Sequence, residues 1–157
     1  MSMRRFSVRA VLLSLLAAAG ALADASPQRV VYHINSGDAQ HQSSVLRSMQ
    51  NHLDEAGSGN VEMHLVLHGN GVSLLLLPEA LTQVDYFTQA NATSSIQVRI
   101  ENLKVQGVVF KVCDNTLKRH KVDRKRHLFD VAESDLVRSG IGELARLQGM
   151  GFTYIKP

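Results

Sequence analysis

The chain has 157 residues, with 17 lysines and arginines against 14 aspartates and glutamates, 7 histidines, a single cysteine and 45% hydrophobic side chains. One cysteine excludes a disulfide-stapled scaffold, and the length suits one domain that can bury its own core. Arg4, Arg5 and Arg9 lie in an N-terminal segment that reads as removable, so the positive excess does not belong to the body of the chain and gives no ground for a nucleic-acid partner.

Residues 1–23 are predicted to be an export signal. The three arginines lead into the uncharged stretch Ala10 to Ala23, which ends in the small-x-small site Ala21-Leu22-Ala23. The stretch is shorter than the roughly 20 residues of a bilayer span, and the chain turns polar at Asp24, Ser26 and Gln28. No membrane span is expected after cleavage, and residues 24–157 are expected to form one domain in the periplasm.

After Pro27, Val30 to Ile34 reads as a first strand, and Asn35 to Asp38 supplies turn and cap residues. Val45, Leu46, Met49, Leu53 and Ala56 then mark one face of a helix that Gly57 to Asn60 stops. Val61, Met63, Leu65 and Leu67 alternate with Glu62, His64 and Val66 as a second strand, which runs into the tight loop His68-Gly69-Asn70-Gly71. Val72 to Leu77 reads as a short buried helical turn or a strand, and Thr82 to Ala92 as helix or loop. Ile96, Ile100 and Leu103 outline a helix ending at Gly107, followed by a β-branched strand from Val108 to Val112 with Cys113 at its end. Asp114, Asn115 and Thr116 are all competent N-caps for a following helix. A brief strand at Leu136-Val137, a helix from Ser139 to Met150 and a last strand from Phe152 to Ile155 complete the series. Strands alternating with helices argue for an α/β fold with a parallel sheet covered on both faces.

In such sheets reacting groups gather beyond the carboxyl ends of the strands, which is where Cys113 is predicted to lie. Backbone N–H groups at a helix start near the sulfur would favour its thiolate. Lys118, Arg119, Lys121, Arg124, Lys125 and Arg126 follow, opposed only by Asp123, and would draw anionic substrates toward it. The plainer alternatives are a small buried hydrophobe for the cysteine and a solvated loop for the basic run. No aromatic residue lies between Cys113 and Phe129 to stack on bases, so nucleic acid is not an expected partner.

Among the histidines, His64 and His68 share a spacing of four. On a strand that separates them by about 13 Å, too far to share one ion, so neither a metal nor another cofactor is expected. His33 and His68, each at or near a strand end, are candidate cleft residues. Gly-x-Ser-x-Gly, Walker-type and His-Glu-x-x-His patterns are absent, and the loop at Gly69 reads as a turn that can offer backbone N–H groups to an anion. Asn91-Ala92-Thr93 matches a glycosylation acceptor, a tripeptide common by chance.

Four segments together resemble the DsrE/DsrF-like sulfur-relay proteins, in particular small exported members. They are Val30 to Asn35, Val66 to Val72 leading to Leu75-Leu76, Gly107 to Leu117, and Ser139-Gly140-Ile141 continuing with Leu147 to Pro157. The resemblance implies a three-layer α/β/α domain with a mostly parallel five-stranded sheet, assembled into homo-oligomers such as trimers or hexamers. It also implies that Cys113 accepts sulfane sulfur as a persulfide and passes it to a thiol on a donor or acceptor protein. The chain departs from the family's better understood members in its export signal, its lack of a second cysteine and its basic segment after Cys113.

The leading expectation is a periplasmic sulfur carrier or sulfurtransferase-like protein centred on Cys113. Asp114, Asn115, Thr116, His33, His68, Gly69, Lys118 and Arg119 are its candidate binding residues, and anionic sulfur compounds its candidate ligands. The alternatives are a non-catalytic oligomeric binding or scaffold module of the cell envelope with Cys113 in its core, and an intermolecular disulfide through Cys113.

Overall fold

The computed structural model describes residues 26–57 and 59–157, so the expected export signal, residues 1–23, lies outside the described residues. β1 (Gln28–Ile34), β2 (Val61–Leu67), β3 (Val109–Cys113), β4 (Leu136–Val137) and β5 (Thr153–Ile155) form one five-stranded sheet in the order β4-β3-β2-β1-β5. Every pairing is parallel. Among the described residues no helix is long and apolar enough to cross a membrane.

Side-chain alternation along the strands decides which helix covers which face. Val30, Tyr32 and Ile34 of β1 join Met63, Leu65 and Leu67 of β2 in the main apolar cluster. The same cluster takes Val45, Leu46, Met49 and Leu53 from α1 (Ala39–Ala56), and Ile100 and Leu103 from α2 (Ser94–Val105). The opposite face carries a smaller cluster in which Val31 and Val66 meet Leu144 and Leu147 of α5 (Gly140–Gly149), with Phe152 beside them. Between β3 and β4 run two short helices, α3 (Asp114–Arg119) and α4 (Arg124–His127). Helices lie on both sides of the sheet, which is the expected three-layer α/β/α arrangement.

Local chemistry sets the helix limits. The Asp38 carboxylate accepts the His41 backbone N–H at 2.6 Å at the start of α1, and Gly57 ends that helix at a φ of 82° that disfavours a side chain. Ser139 caps α5 by accepting the Gly142 N–H at 3.2 Å. At α3 the cap is Cys113 itself, with no side-chain cap bond; Asp114 is the first helical residue rather than a cap.

The segment between β2 and α2 resolves into shapes that its apolar run does not spell out. Gly69–Leu74 is a 3-10 turn, Leu76 forms an isolated antiparallel bridge with Leu128, and Pro78–Thr82 is a second 3-10 turn. An irregular stretch follows, tied down by Asn91, which is 8% exposed and donates from Nδ2 to the Gly37 carbonyl at 2.9 Å and to Gln42 Oε1 at 2.8 Å. An amide engaged in this way is a structural tether, so the Asn91-Ala92-Thr93 tripeptide is not presented as a glycan acceptor.

Candidate functional site

The sheet register places a set of polar side chains on the α5 face. Val31 pairs with His64 and Tyr154, His33 with Val66, Val66 with Lys111, and Cys113 with Val137. By alternation His33, His64, Lys111, Cys113 and Tyr154 all point to that side. At the carboxyl edge of the sheet this face opens into a cleft of about 230 Å³. Its lining comes from four places: His68 and Gly69 after β2; Tyr86 from the irregular stretch; Cys113, Asn115, Thr116, Arg119 and His120 around α3; and Ser139, Gly140 and Ile141 at the start of α5.

Cys113 is 6% exposed and belongs to neither apolar cluster. It is thus a sparingly exposed thiol on a polar wall. The Gly69 N–H donates to Thr116 Oγ1 at 3.0 Å, which joins the β2 turn to α3. The Asn115 N–H, one of the amides expected to serve the sulfur, donates instead to the Arg138 carbonyl at 3.3 Å. With six residues α3 has a small macrodipole, so the predicted electrostatic help from its start is reduced to the amides not already engaged.

The basic segment behaves differently from its sequence. Lys118 turns back on Asp114 at 2.5 Å, Arg124 pairs with Glu133 at 3.1 Å, and Arg126 with Asp123 at 3.4 Å. Asp114 and Lys118 therefore neutralise each other outside the cleft lining. Arg119 is the guanidinium that lines the cleft, and it forms no ion pair among the described residues. Beside it, His120 stacks on Tyr86 with ring centroids 3.5 Å apart, and Phe87 packs edge-on against both rings. Burial and the Arg119 charge hold His120 below the usual imidazole value.

His33 does not line the cleft but is bonded to a residue that does. Its Nε2 lies 2.8 Å from His68 Nε2 and its Nδ1 lies 2.6 Å from the Tyr154 hydroxyl; the two imidazoles meet edge to edge, with planes 22° apart and centroids 4.8 Å apart. The start of α5 packs closely on this pair: a Cβ at Gly140 would stand 2.8 Å from the His68 Cβ. Burial, then His68 and Lys156, push the His33 pKa from an ordinary 6.5 down to about 4, and burial also lowers His68. His64, which the sequence set aside as a metal partner of His68, packs edge-on against Phe152 and leaves its buried Nδ1 without a partner. Among the described residues no group of three or more metal-ligating side chains comes together.

The depressed His33 pKa has a measurable consequence for stability. The unfolded chain takes up a proton near pH 6.5 that the folded chain excludes until about pH 4, so this contribution to stability is full above 6.5 and is lost as pH falls toward 4. Urea unfolding at pH 7 and pH 4 should show an acid loss from this group of about 2 to 3 kcal/mol. In His33→Gln that share of the pH dependence should vanish.

Of the residues expected from sequence, the cleft unites Cys113, His68, Gly69, Asn115, Thr116 and Arg119; His33 sits one bond behind it. Tyr86, His120, Ser139 and Tyr154 were not foreseen as site residues. Ser139 and Tyr154 lay inside motif segments, which was the available signal; nothing local marks Tyr86.

Comparison with known proteins adds an assignment to this geometry. The model of the DsrE/DsrF-like family matches residues 28–157. A solved structure of a protein of unknown function from Methanobacterium thermoautotrophicum is similar, with a TM-score of 0.63 and 27% sequence identity over 83% of this chain and 99% of that one. No curated protein matches.

Proposed function

The chain belongs to the DsrE/DsrF-like family, and from that membership and the position of its one thiol we propose that it is an exported sulfur carrier that holds sulfane sulfur on Cys113. The observation that carries this reading is that Cys113, at the carboxyl end of β3, lines a polar cleft and is absent from the apolar clusters. In loading, the Cys113 thiolate attacks the terminal sulfur of a persulfide R–S–SH. The Sγ–S bond forms, the bond from that sulfur to R–S breaks, and R–S⁻ leaves with the electron pair and takes up a proton. Attack by an acceptor thiolate on the same terminal sulfur unloads the carrier. With no second cysteine in the chain, the persulfide cannot collapse into an intramolecular disulfide.

Arg119, whose guanidinium lines the same cleft as the sulfur, suits an anionic donor, and the exposed Ile141 at the cleft rim suits a protein acceptor docking over it. Export through residues 1–23, a periplasmic location and assembly into a trimer or hexamer belong to the same reading. The test is mass spectrometry of the native protein after exposure to a sulfane-sulfur donor. Added sulfur on Cys113 is expected, and its absence would remove the proposal.

A second reading has one observation in its favour: at 6% exposure Cys113 is nearly closed to solvent. That suits a non-catalytic oligomeric module of the cell envelope with a packed cysteine. Alkylation separates the two, since a carrier's thiol reacts in the native state and a packed one only after unfolding.

A further inference from the structure

The buried chain from Tyr154 through His33 to His68 has a geometry that packing alone does not require. His33 is 4% exposed, and both of its ring nitrogens are engaged, one by a phenol and the other by a second imidazole. Tyr154, at the outer end, is 39% exposed; His68, at the inner end, lines the Cys113 cleft. The second nitrogen of His68, Nδ1, forms no hydrogen bond among the described residues. We propose that Tyr154, His33 and His68 form a proton relay between solvent and the Cys113 cleft, with His68 exchanging the proton on the cleft side and His33 and Tyr154 as positioning residues. The inference rests on the sulfur-carrier reading for the reaction it serves.

A nitrogen-to-nitrogen hydrogen bond needs one N–H and one bare nitrogen, so the two rings cannot both be imidazolium. With both neutral, the chain has two proton orders. In one, His68 Nε2–H donates to His33 Nε2, His33 Nδ1–H donates to the Tyr154 oxygen, and His68 Nδ1 is bare. A proton given up by the Cys113 thiol crosses the cleft through water and adds to that Nδ1. The Nε2 proton of His68 passes to His33, the Nδ1 proton of His33 passes to Tyr154, and the original Tyr154 proton goes to water. The second order results: Tyr154 O–H donates to His33 Nδ1, His33 Nε2–H donates to His68 Nε2, and His68 Nδ1 carries a proton. One proton has crossed from cleft to solvent and no charge is left behind. The reverse sequence returns a proton to a leaving thiolate.

The surroundings keep the chain neutral. Burial and the nearby Lys156 disfavour a positive charge on either ring. On the adjoining strands and helix, Lys111 and Arg146 oppose the carboxylates Glu62 and Glu143 around His64.

The test is the rate at which the mature protein acquires sulfur from glutathione persulfide, followed by mass spectrometry in the wild type, Tyr154→Phe and His68→Ala. All three should reach the same plateau of one sulfur on Cys113. His68→Ala should arrive about a hundredfold more slowly and recover in free imidazole, as general acid–base roles do. Tyr154→Phe, which keeps the ring and loses only the hydroxyl, should slow several-fold. An unchanged rate in either variant, or a slow His68→Ala that imidazole does not restore, would overturn the relay. If the wild type itself takes up no sulfur, the carrier reading fails separately, and nitrogen NMR of the imidazoles decides the relay. Coupled tautomers that shift together in Tyr154→Phe support it, and independent tautomers refute it.

Discussion

Replacing Cys113 by serine should abolish sulfur loading completely while costing the fold about 1 kcal/mol or less. Loss of loading follows because no other thiol exists in the chain to receive the sulfur. The small stability cost follows from the surroundings: the side chain faces a cleft that also holds Thr116, Ser139 and His68, and it contributes to neither apolar cluster. A hydroxyl there can find partners or water. Were Cys113 a packed core residue, the same change would bury an unsatisfied hydroxyl at a cost of roughly 1 to 3 kcal/mol. Mass spectrometry after donor treatment and urea unfolding of the same variant read both quantities. A marked loss of stability combined with no wild-type loading would favour the non-catalytic module.

The largest stability loss is expected from Gly71→Ala. A Cβ at this position would stand 2.1 Å from the carbonyl oxygen of Ile34 and 2.6 Å from its carbon. Both are backbone atoms at the end of β1, so no side chain can rotate away, and the 3-10 turn must separate from the strand. The cost should be about 3 kcal/mol or more, the upper end for overpacking. Because the same Ile34 carbonyl accepts the His68 N–H at 3.4 Å, the displacement should also misplace His68 and Gly69 and slow sulfur loading. Gly142→Ala is the contrasting variant. It lies in the first turn of α5, and its Cβ would meet only Ser139 atoms at 3.4 Å and beyond, so it should be neutral or stabilising by up to about 1 kcal/mol. Thermal or urea unfolding checks the pair, and comparable stabilities for the two variants would contradict the packing described for Gly71.

The regular elements were legible because their signals are local. Alternation in Val61 to Leu67, helical spacing from Val45 to Leu53, and the cap at Asp38 each act within a few residues of the structure they specify. The position of Cys113 at a strand end was legible for the same reason. The stretch from Gly69 to Thr93 was not, because its shape follows from distant partners: Leu128 for Leu76, Ile34 for Gly71, and Gly37 and Gln42 for Asn91.

By itself the sequence determined the order of strands and helices, the single thiol and its address at the carboxyl end of β3, since periodicity, capping and composition are properties of neighbouring residues. Only the tertiary structure decided which chemistry surrounds that thiol. The strand order β2-β1-β5 brings His68, His33 and Tyr154 into one hydrogen-bonded line although they are far apart in the chain. Charge pairing removes Asp114 and Lys118 from the cleft while leaving Arg119 in it. Long-range register and competition among charged partners are set by the whole packed fold, and no local pattern encodes their outcome.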